Sequence, residues 1–314
     1  MTKEKLIVIC GPTGVGKTAL SLDLAQKFSG EVVNGDSMQV YRHLDIGTAK
    51  ITPAERGDIP HHLFDLKEVY EDYSVADFKR DASTAIAKIH ERGQLPILVG
   101  GTGLYLEALL YDFDLGAEVD DHPEFREEMA AYAAQYGALA LHRKLQDVDP
   151  NAAETIHPNN QRRVIRALEV CRFSSGKFSD QKQAQDHDSP YDLLLIALVR
   201  DRQKLYEQIN QRVLEMVKQG LLDEAKWLYQ QGLPEDAQAM KAIAYKELFP
   251  YLRGEEGLED GIQRLQKNTR HYAKRQLTWI RHRLPEAEIY DLVDDPQKTN
   301  YQRLQEAVKA FLQS

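Results

Sequence analysis

Leu6-Ile-Val-Ile-Cys10, running without a gap into Gly11-Pro-Thr-Gly-Val-Gly-Lys-Thr18, is the stretch that decides the fold. Five apolar residues in a row, with no alternation, suit a central parallel strand covered on both faces, and the G-x-x-x-x-G-K-T spacing follows at once. Ala19 to Ala25 continues with helical periodicity, so the loop opens a helix. In that setting the backbone N–H groups of Gly11, Thr13, Gly14, Val15 and Gly16 turn inward and the helix N-terminus adds partial positive charge. Lys17 adds a full charge, and Thr18 can hold a Mg²⁺ ion. The cradle takes a di- or triphosphate. The loop itself leaves open whether that phosphate is cleaved for energy or belongs to the substrate.

Outward from this loop, 314 residues of which 42% are hydrophobic can bury a large α/β core with a smaller attachment. No run of eighteen apolar residues occurs, so no membrane span is expected. The first strand starts about five residues in, leaving no room for a targeting segment, and the cytoplasm is the expected location. Cys10 and Cys171 show no C-x-x-C pairing and read as packing residues rather than zinc ligands or a disulfide. A net charge of −9 argues against a protein coated with cations for bulk nucleic-acid binding, while permitting a local basic face.

Glu31 to Gly35 reads as a second strand ending in the polar cluster Asp36-Ser37-Met38-Gln39. Ligands of parallel α/β sheets gather beyond the carboxyl ends of the strands, which places Asp36 and Ser37 near the cradle; a simple capping role for Asp36 is the other reading. Tyr41 to Lys50 is expected as a loop, and Thr52-Pro53 as the start of a helix. Ser74-Val-Ala-Asp77 opens a further helix with apolar residues at Phe78, Ala82, Ile86 and Ile89, ending at Gly93. Pro96 to Val99 is a third strand opening into Gly100-Gly-Thr102-Gly-Leu-Tyr105, either a second N–H-rich turn of the site or a tight turn that needs glycine. An ATPase strand would end here in an acidic residue that holds water and Mg²⁺; this one ends in glycine, which counts against ATP hydrolysis.

From about 121 to 187 the pattern turns to helices without strands. The expected helices are Pro123 to Tyr136 and Gln161 to Phe173, with links at Asp149-Pro-Asn and His157-Pro-Asn-Asn160, and Ser174 to Pro190 is a polar loop. Arg162, Arg163 and Arg166 follow Gln161 within about one and a half helical turns, as a solvated face or a phosphate-contacting one. Asp192 to Val199 returns to the sheet, followed by helices ending at Gly220 and Gly232, and by a short strand at Glu288 to Leu292 and a terminal helix at Tyr301 to Leu312. Ile262 to Arg283 carries seven Lys and Arg residues and no acidic one. Arg264, Lys267, His271, Lys274, Arg275 and His282 fall within an arc of roughly 100°, opposite Ile262, Leu265, Tyr272, Ala273, Trp279 and Ile280. Such a helix packs one face and presents cations spaced to follow a nucleic-acid backbone. The expected architecture is α/β: a P-loop kinase-like parallel sheet flanked by helices, with a helical insertion. Residues 1–120 and 191–314 form the core with its C-terminal basic helices, and residues 121–190 the insertion.

The order Gly11 to Thr18, Asp36-Ser-Met-Gln39, Tyr41-Arg42, Ile46-Gly-Thr-Ala-Lys50, Gly100 to Tyr105, Gln161-Arg162, Arg212 within Ile-Asn-x-Arg-Val, and Ala273-Lys-Arg-Gln-Leu-Thr-Trp279 resembles the tRNA dimethylallyltransferases, also called tRNA isopentenyltransferases, in their bacterial form. The resemblance implies transfer of a dimethylallyl group from dimethylallyl diphosphate to N6 of adenosine 37 of tRNA. The phosphate in the cradle would then be the leaving group. It implies catalytic roles for Asp36, Lys17, Thr18, Thr102 and Arg212, with Asp36 as general base and Mg²⁺ on Thr18. It also implies tRNA contacts at Asp36, Ser37, Met38, Gln39, Thr102, Gln161, Arg162, Arg163, Arg166, Lys274 and Arg275, around a base extruded from the anticodon loop. Two departures stand out. Ala244 replaces the usual glycine before Tyr245, which argues against close backbone approach to RNA there, and no zinc finger follows. A monomer is expected.

A P-loop small-molecule kinase using ATP would share the cradle and treat the insertion as a lid, but has no need of the basic helix. A non-catalytic nucleic-acid-binding module leaves Asp36, Thr102 and the cradle without a purpose. A GTPase lacks its N-K-x-D motif.

Overall fold

The structure of the chain, a computed structural model, describes residues 3–112, 122–174, 176–180 and 188–314. It divides into two compact units, Met1–Leu110 with Ser189–Ser314, and Tyr111–Asp188.

The first unit is built on a parallel sheet. Its strands are β1 (Glu4–Cys10), β2 (Gly30–Gly35), β3 (His61–His62), β4 (Leu95–Gly100), β5 (Tyr191–Leu198) and β6 (Glu288–Tyr290), in the order β3-β2-β4-β1-β5-β6. The expected P-loop kinase-like sheet is thus present, with one strand the sequence did not announce: β3 is two residues long and pairs through Val32 with His61 and Val33 with His62. β1 is central, paired with β4 and β5, and its Leu6 to Ile9 are fully buried, as the unbroken apolar run requires.

Around the sheet lie α1 (Lys17–Phe28), α2 (Pro53–Arg56), α3 (Val75–Glu91) and α4 (Gly103–Leu110). Thr52 and Ser74 both close reciprocal capping boxes, with Glu55 and Asp77 respectively, and Phe78, Ala82, Ile86 and Ile89 form the buried stripe of α3. One cluster joins Ile7, Ile9, Ile97 and Ile196 of the sheet and Leu24 of α1 to side chains from later in the chain, Leu205, Ile209, Ala273, Leu304 and Val308. Each large apolar side chain so buried is worth about 1.5–3 kcal/mol.

The second unit holds α5 (Pro123–Tyr136), α6 (Ala138–Val148), α7 (Pro150–Thr155) and α8 (Gln161–Phe173). The Asp149-Pro-Asn segment is a helix start rather than a link: Asp149 accepts a hydrogen bond from the Ala152 amide and Pro150 fills the first position, where its missing N–H costs nothing. Met129, Ala133, Leu141, Leu145, Val164 and Leu168 form a core of its own. Residues 175 and 181–187 of the expected polar loop lie outside the described residues, as does the boundary at 120.

The chain returns through α9 (Arg202–Gln219), α10 (Leu221–Gln230), α11 (Phe249–Leu252), α12 (Leu258–Arg283) and α13 (Thr299–Gln313). Asp201 caps α9 by accepting from the Gln203 and Lys204 amides. The basic helix α12 begins four residues before the apolar pattern suggests, and its first turn carries Glu259 and Asp260, so it is not acid-free. Acidic side chains are favoured there by the helix dipole, which is why the cationic pattern starts only later.

Candidate active site

Strand register assembles the site. Cys10 and Gly35 are each aligned with Gly100, so β1, β2 and β4 end level and Gly11, Asp36 and Gly101 leave the sheet side by side. This is the carboxyl edge, where parallel sheets bind ligands.

In the loop from β1 to α1, Gly14 and Gly16 take φ of 81° and 101°, values that L side chains adopt only under strain. Gly16 caps α1 without a side-chain partner, which leaves the first-turn amides to an anion. Val15 is buried in the core cluster and fixes the loop from beneath, while Gly16 and Thr18 are exposed. Lys17 Nζ donates to the Gly11 and Pro12 carbonyls at 3.0 and 2.9 Å and so arches over the loop. Burial pulls its ammonium down to about pKa 8; Asp36 opposes this and Arg212 adds to it. The Thr13 amide donates to Gln276 Oε1 at 2.9 Å rather than turning into the cradle.

Asp36, the first residue past β2, caps a turn and lies in the field of the cradle lysine. Its Oδ1 accepts from the Met38 amide at 2.8 Å, a turn cap, and its carboxylate shares a field with Lys17. Burial raises its pKa above the usual aspartate value, against the opposing pull of the Met38 amide, Lys17 and the Gln39 amide. Asn34 orients it by accepting from the Asp36 amide and donating to its carbonyl. Thr102 Oγ1 accepts from the Ser37 amide at 3.2 Å, which ties the β4 turn to the β2 turn. Gln39 donates to the Thr48 carbonyl and anchors the 44–49 loop, whose amides at Asp45, Ile46 and Gly47 all donate to Glu224. Arg212, half-buried on α9, has its pKa lowered by burial against the attraction of Glu215 and Glu55. Lys17, Asp36, Thr102 and Arg212 therefore converge on one edge of the sheet.

Sequence reasoning gave Gln276 no role, although it is the buried polar residue of α12. Its Nε2 donates to the Gly101 carbonyl at 3.0 Å while its Oε1 holds Thr13. Three residues on, Trp279 lies against Gly103 and its Nε1 donates to Glu107 at 3.3 Å. A Cβ on Gly101 would stand 2.1 Å from Gln276 Nε2, and one on Gly103 2.5 Å from the indole of Trp279. Gly103 is thus needed for the packing of Trp279, and Gly101 for the close approach of Gln276. A polar residue on an otherwise apolar helical stripe was the available signal for Gln276.

On the outer face of α12, Lys267, His271, Lys274, Arg275 and His282 are exposed. Arg264 leaves that set: it pairs with Glu256 at 2.7 Å and donates to the Glu247 carbonyl, a structural anchor. In the second unit Gln161, Arg162 and Arg163 are exposed on the first turn of α8. Arg166 instead joins Arg126 on the buried carboxylate of Glu169, each at 2.7 Å. Burial alone would raise the pKa of Glu169, but the two guanidinium groups outweigh it and hold it below the usual value.

Comparison with known proteins agrees with this arrangement. A sequence model described as IPP transferase matches residues 39–283. The chain is 51% identical over 311 residues to the tRNA dimethylallyltransferase of Enterococcus faecalis, covering 99% of this chain and 98% of that one. It is 49% identical over 315 residues to that of Latilactobacillus sakei, covering 100% of both. Among solved structures it is similar to the tRNA isopentenylpyrophosphate transferase of Bacillus halodurans, with 47% identity, a TM-score of 0.74, and 99% and 97% of the two chains covered. A eukaryotic dimethylallyltransferase acting on tRNA superposes with a TM-score of 0.84 at 33% identity, over 98% of this chain and 79% of that one. The small-molecule kinase alternative finds no support in these matches. The chain belongs to the IPP transferase family, the tRNA dimethylallyltransferases.

Proposed function

We infer that this chain transfers a dimethylallyl group from dimethylallyl diphosphate to N6 of adenosine 37, beside the anticodon of tRNA, and releases diphosphate. One observation carries the reading: a carboxylate, Asp36, stands level with a cationic phosphate cradle on adjacent strand ends, while β4 ends in Gly100 rather than a carboxylate. The N6 lone pair forms a bond to C1 of the dimethylallyl group as the C1–O bond breaks, and that electron pair leaves on the diphosphate. Adenine N6 is a poor nucleophile because its lone pair is delocalised. Asp36, its basicity raised by burial, accepts the N6 proton as the bond forms. Lys17, Arg212, the first-turn amides of α1 and the Thr102 hydroxyl meet the charge that builds on the leaving group. Thr18 fits a Mg²⁺ site, since its residue is exposed at the mouth of the cradle; the ion would be held there together with substrate phosphate oxygens and would supply neutralising charge.

The tRNA side of the reaction rests on two cationic surfaces. Lys274 and Arg275 are exposed on α12 immediately before Gln276. Arg162 and Arg163 sit on the first turn of α8, where the helix dipole disfavours cations, so the fold gains nothing from them there. We assign both to the tRNA, Arg162 and Arg163 together with Gln161 beside them, and place the flipped base at Ser37, Met38 and Gln39 of the first unit. The insertion 121–190 acts as a tRNA-contacting domain, and the enzyme works as a cytoplasmic monomer. No helix among the described residues is long and apolar enough to cross a membrane.

The decisive experiment incubates the protein with labelled dimethylallyl diphosphate, Mg²⁺ and unmodified tRNA, with ATP as a parallel donor. Label in tRNA, independent of ATP, is expected; phosphoryl transfer from ATP without prenyl transfer overturns the reading.

A further inference from the structure

The two hydrogen bonds of Gln276 join elements that the chemistry uses separately. Its side chain is buried, yet both flanking surfaces are functional: the phosphate loop at Thr13 on one side and the β4 turn at Gly101 on the other. On the same helix, the two residues immediately before it, Lys274 and Arg275, are exposed. One turn earlier, Tyr272 is placed against Thr102 and in the field of Asp36. The loop that Gln276 holds contains the positive-φ glycines Gly14 and Gly16, residues whose backbone is least restrained by sterics.

We propose that Gln276 is a positioning residue that couples RNA docking on α12 to diphosphate binding in the cradle. This rests on the tRNA-binding role inferred above for Lys274 and Arg275. An RNA backbone bridging those cations immobilises the helix segment that carries Gln276, and through its amide the Thr13 end of the loop. The ordering cost of the loop is then met once rather than twice, so each ligand tightens the other. Linkage makes the effect reciprocal. Thr13, unavailable to the phosphate through its own amide, serves as the point where the helix grips the loop.

Two substitutions break the clasp from opposite sides. Gln276→Met removes both hydrogen bonds, together with the side-chain interaction with Tyr272, with little change of volume. Gly101→Ala adds a Cβ at 2.1 Å from Nε2, which displaces the end of a flexible side chain, and Gly101 has no positive φ that alanine would strain. Dimethylallyl diphosphate affinity is measured by calorimetry with and without an anticodon stem-loop RNA whose reacting adenosine is replaced by a purine nucleoside lacking the N6 amine, so that no transfer occurs, alongside amide exchange of residues 13–18. In the wild type, RNA is expected to tighten diphosphate binding about tenfold, within the usual range of coupling between sites, and to slow exchange in the loop. Both variants are expected to bind RNA within about twofold of wild type yet lose the tightening and the added protection. A thermal melt of each variant shows that it is folded.

Variants that retain the full tightening overturn the proposal, as does a wild type that transfers the prenyl group and binds RNA with no tightening at all. A wild type that binds neither RNA nor diphosphate overturns the functional reading as well, and is distinguished by its failure to label tRNA.

Discussion

Asp36 and Lys17 share one electrostatic field at the sheet edge, and their environments push their pKa values towards each other: burial raises the carboxyl and lowers the ammonium. For Asp36 the consequence is kinetic. Loss of a positioned base costs about 10²- to 10⁴-fold in rate, so Asp36→Ala is expected to lose that much transfer while binding tRNA almost normally. The wild-type rate should fall as pH drops through a pKa above the ordinary aspartate value, and that limb should vanish in the variant; turnover within a few-fold of wild type refutes the role. For Lys17 the consequence is a binding one. Near pH 8 the free enzyme has lost much of this charge, so the anion must bring a proton with it, and affinity falls up to about tenfold per pH unit above that point. Calorimetry of dimethylallyl diphosphate at pH 8 in buffers of different ionisation enthalpy should show proton uptake, absent in Lys17→Met; equal uptake in both would place the proton elsewhere. These two residues were legible because motif and strand-end position name them directly. The partner of the Thr13 amide was not legible, because it lies 263 positions away and no local pattern encodes it.

At the scale of elements, periodicity located the strands and most helices, whereas partners decided what each face does. α12 illustrates both. Its apolar stripe was readable, but Arg264 counted as a free cation until Glu256, eight residues earlier, was seen to take it. The remaining exposed pair, Lys274 and Arg275, is expected to contact phosphates, and their joint replacement by alanine should weaken tRNA binding and reduce the slope of log affinity against log salt by roughly 1.5 to 2. An unchanged slope removes the helix from the interface. The turn preceding α11 makes a second case. Ala244 is buried with φ 96°, and its amide donates to Glu247, which also holds Asn268 of α12. Relief of the left-handed strain by Ala244→Gly is worth about 1–2 kcal/mol. It is offset by about 0.5–1 kcal/mol of glycine entropy and about 0.8 kcal/mol of lost methyl burial. The variant should therefore melt close to wild type, whereas Ala225→Gly, at a buried right-handed position in α10, should lose about 2 kcal/mol. Equal losses at both sites would mean that Ala244 carries no strain. The methyl is buried, so the departure from the family glycine bears on backbone strain in the free protein.

For the whole molecule, the division into two units, each with its own apolar core, separates the candidate site from the Arg162 and Arg163 face proposed to contact tRNA. Lys17, Asp36, Thr102, Arg212 and Gln276 all belong to the first unit, and the exposed Arg162 and Arg163 to the second. The sequence conveyed this split through a change of pattern, strands giving way to helices, but not how α6 and α7 pack, because their helix signals are short and interrupted by Gly137 and Pro150. A net charge of −9 adds a constraint: attraction to RNA must come from a few local cations, so losing one unit's share should be felt strongly. Replacement of residues 111–188 by a flexible linker tests this. The entropic cost of a changed loop length grows only slowly with length, and the cluster built on β1, α1, α9 and α12 draws no residue from the excised segment. The shortened protein is expected to unfold cooperatively and to bind dimethylallyl diphosphate within a few-fold of the full chain. Its tRNA affinity should drop with the loss of two phosphate contacts or more, together with nearly all prenyl transfer. Circular dichroism melts, calorimetry and labelled-tRNA assays on the shortened protein separate these outcomes. Retention of full transfer would confine tRNA recognition to the first unit, and loss of diphosphate binding in a folded product would show that the cradle depends on the insertion.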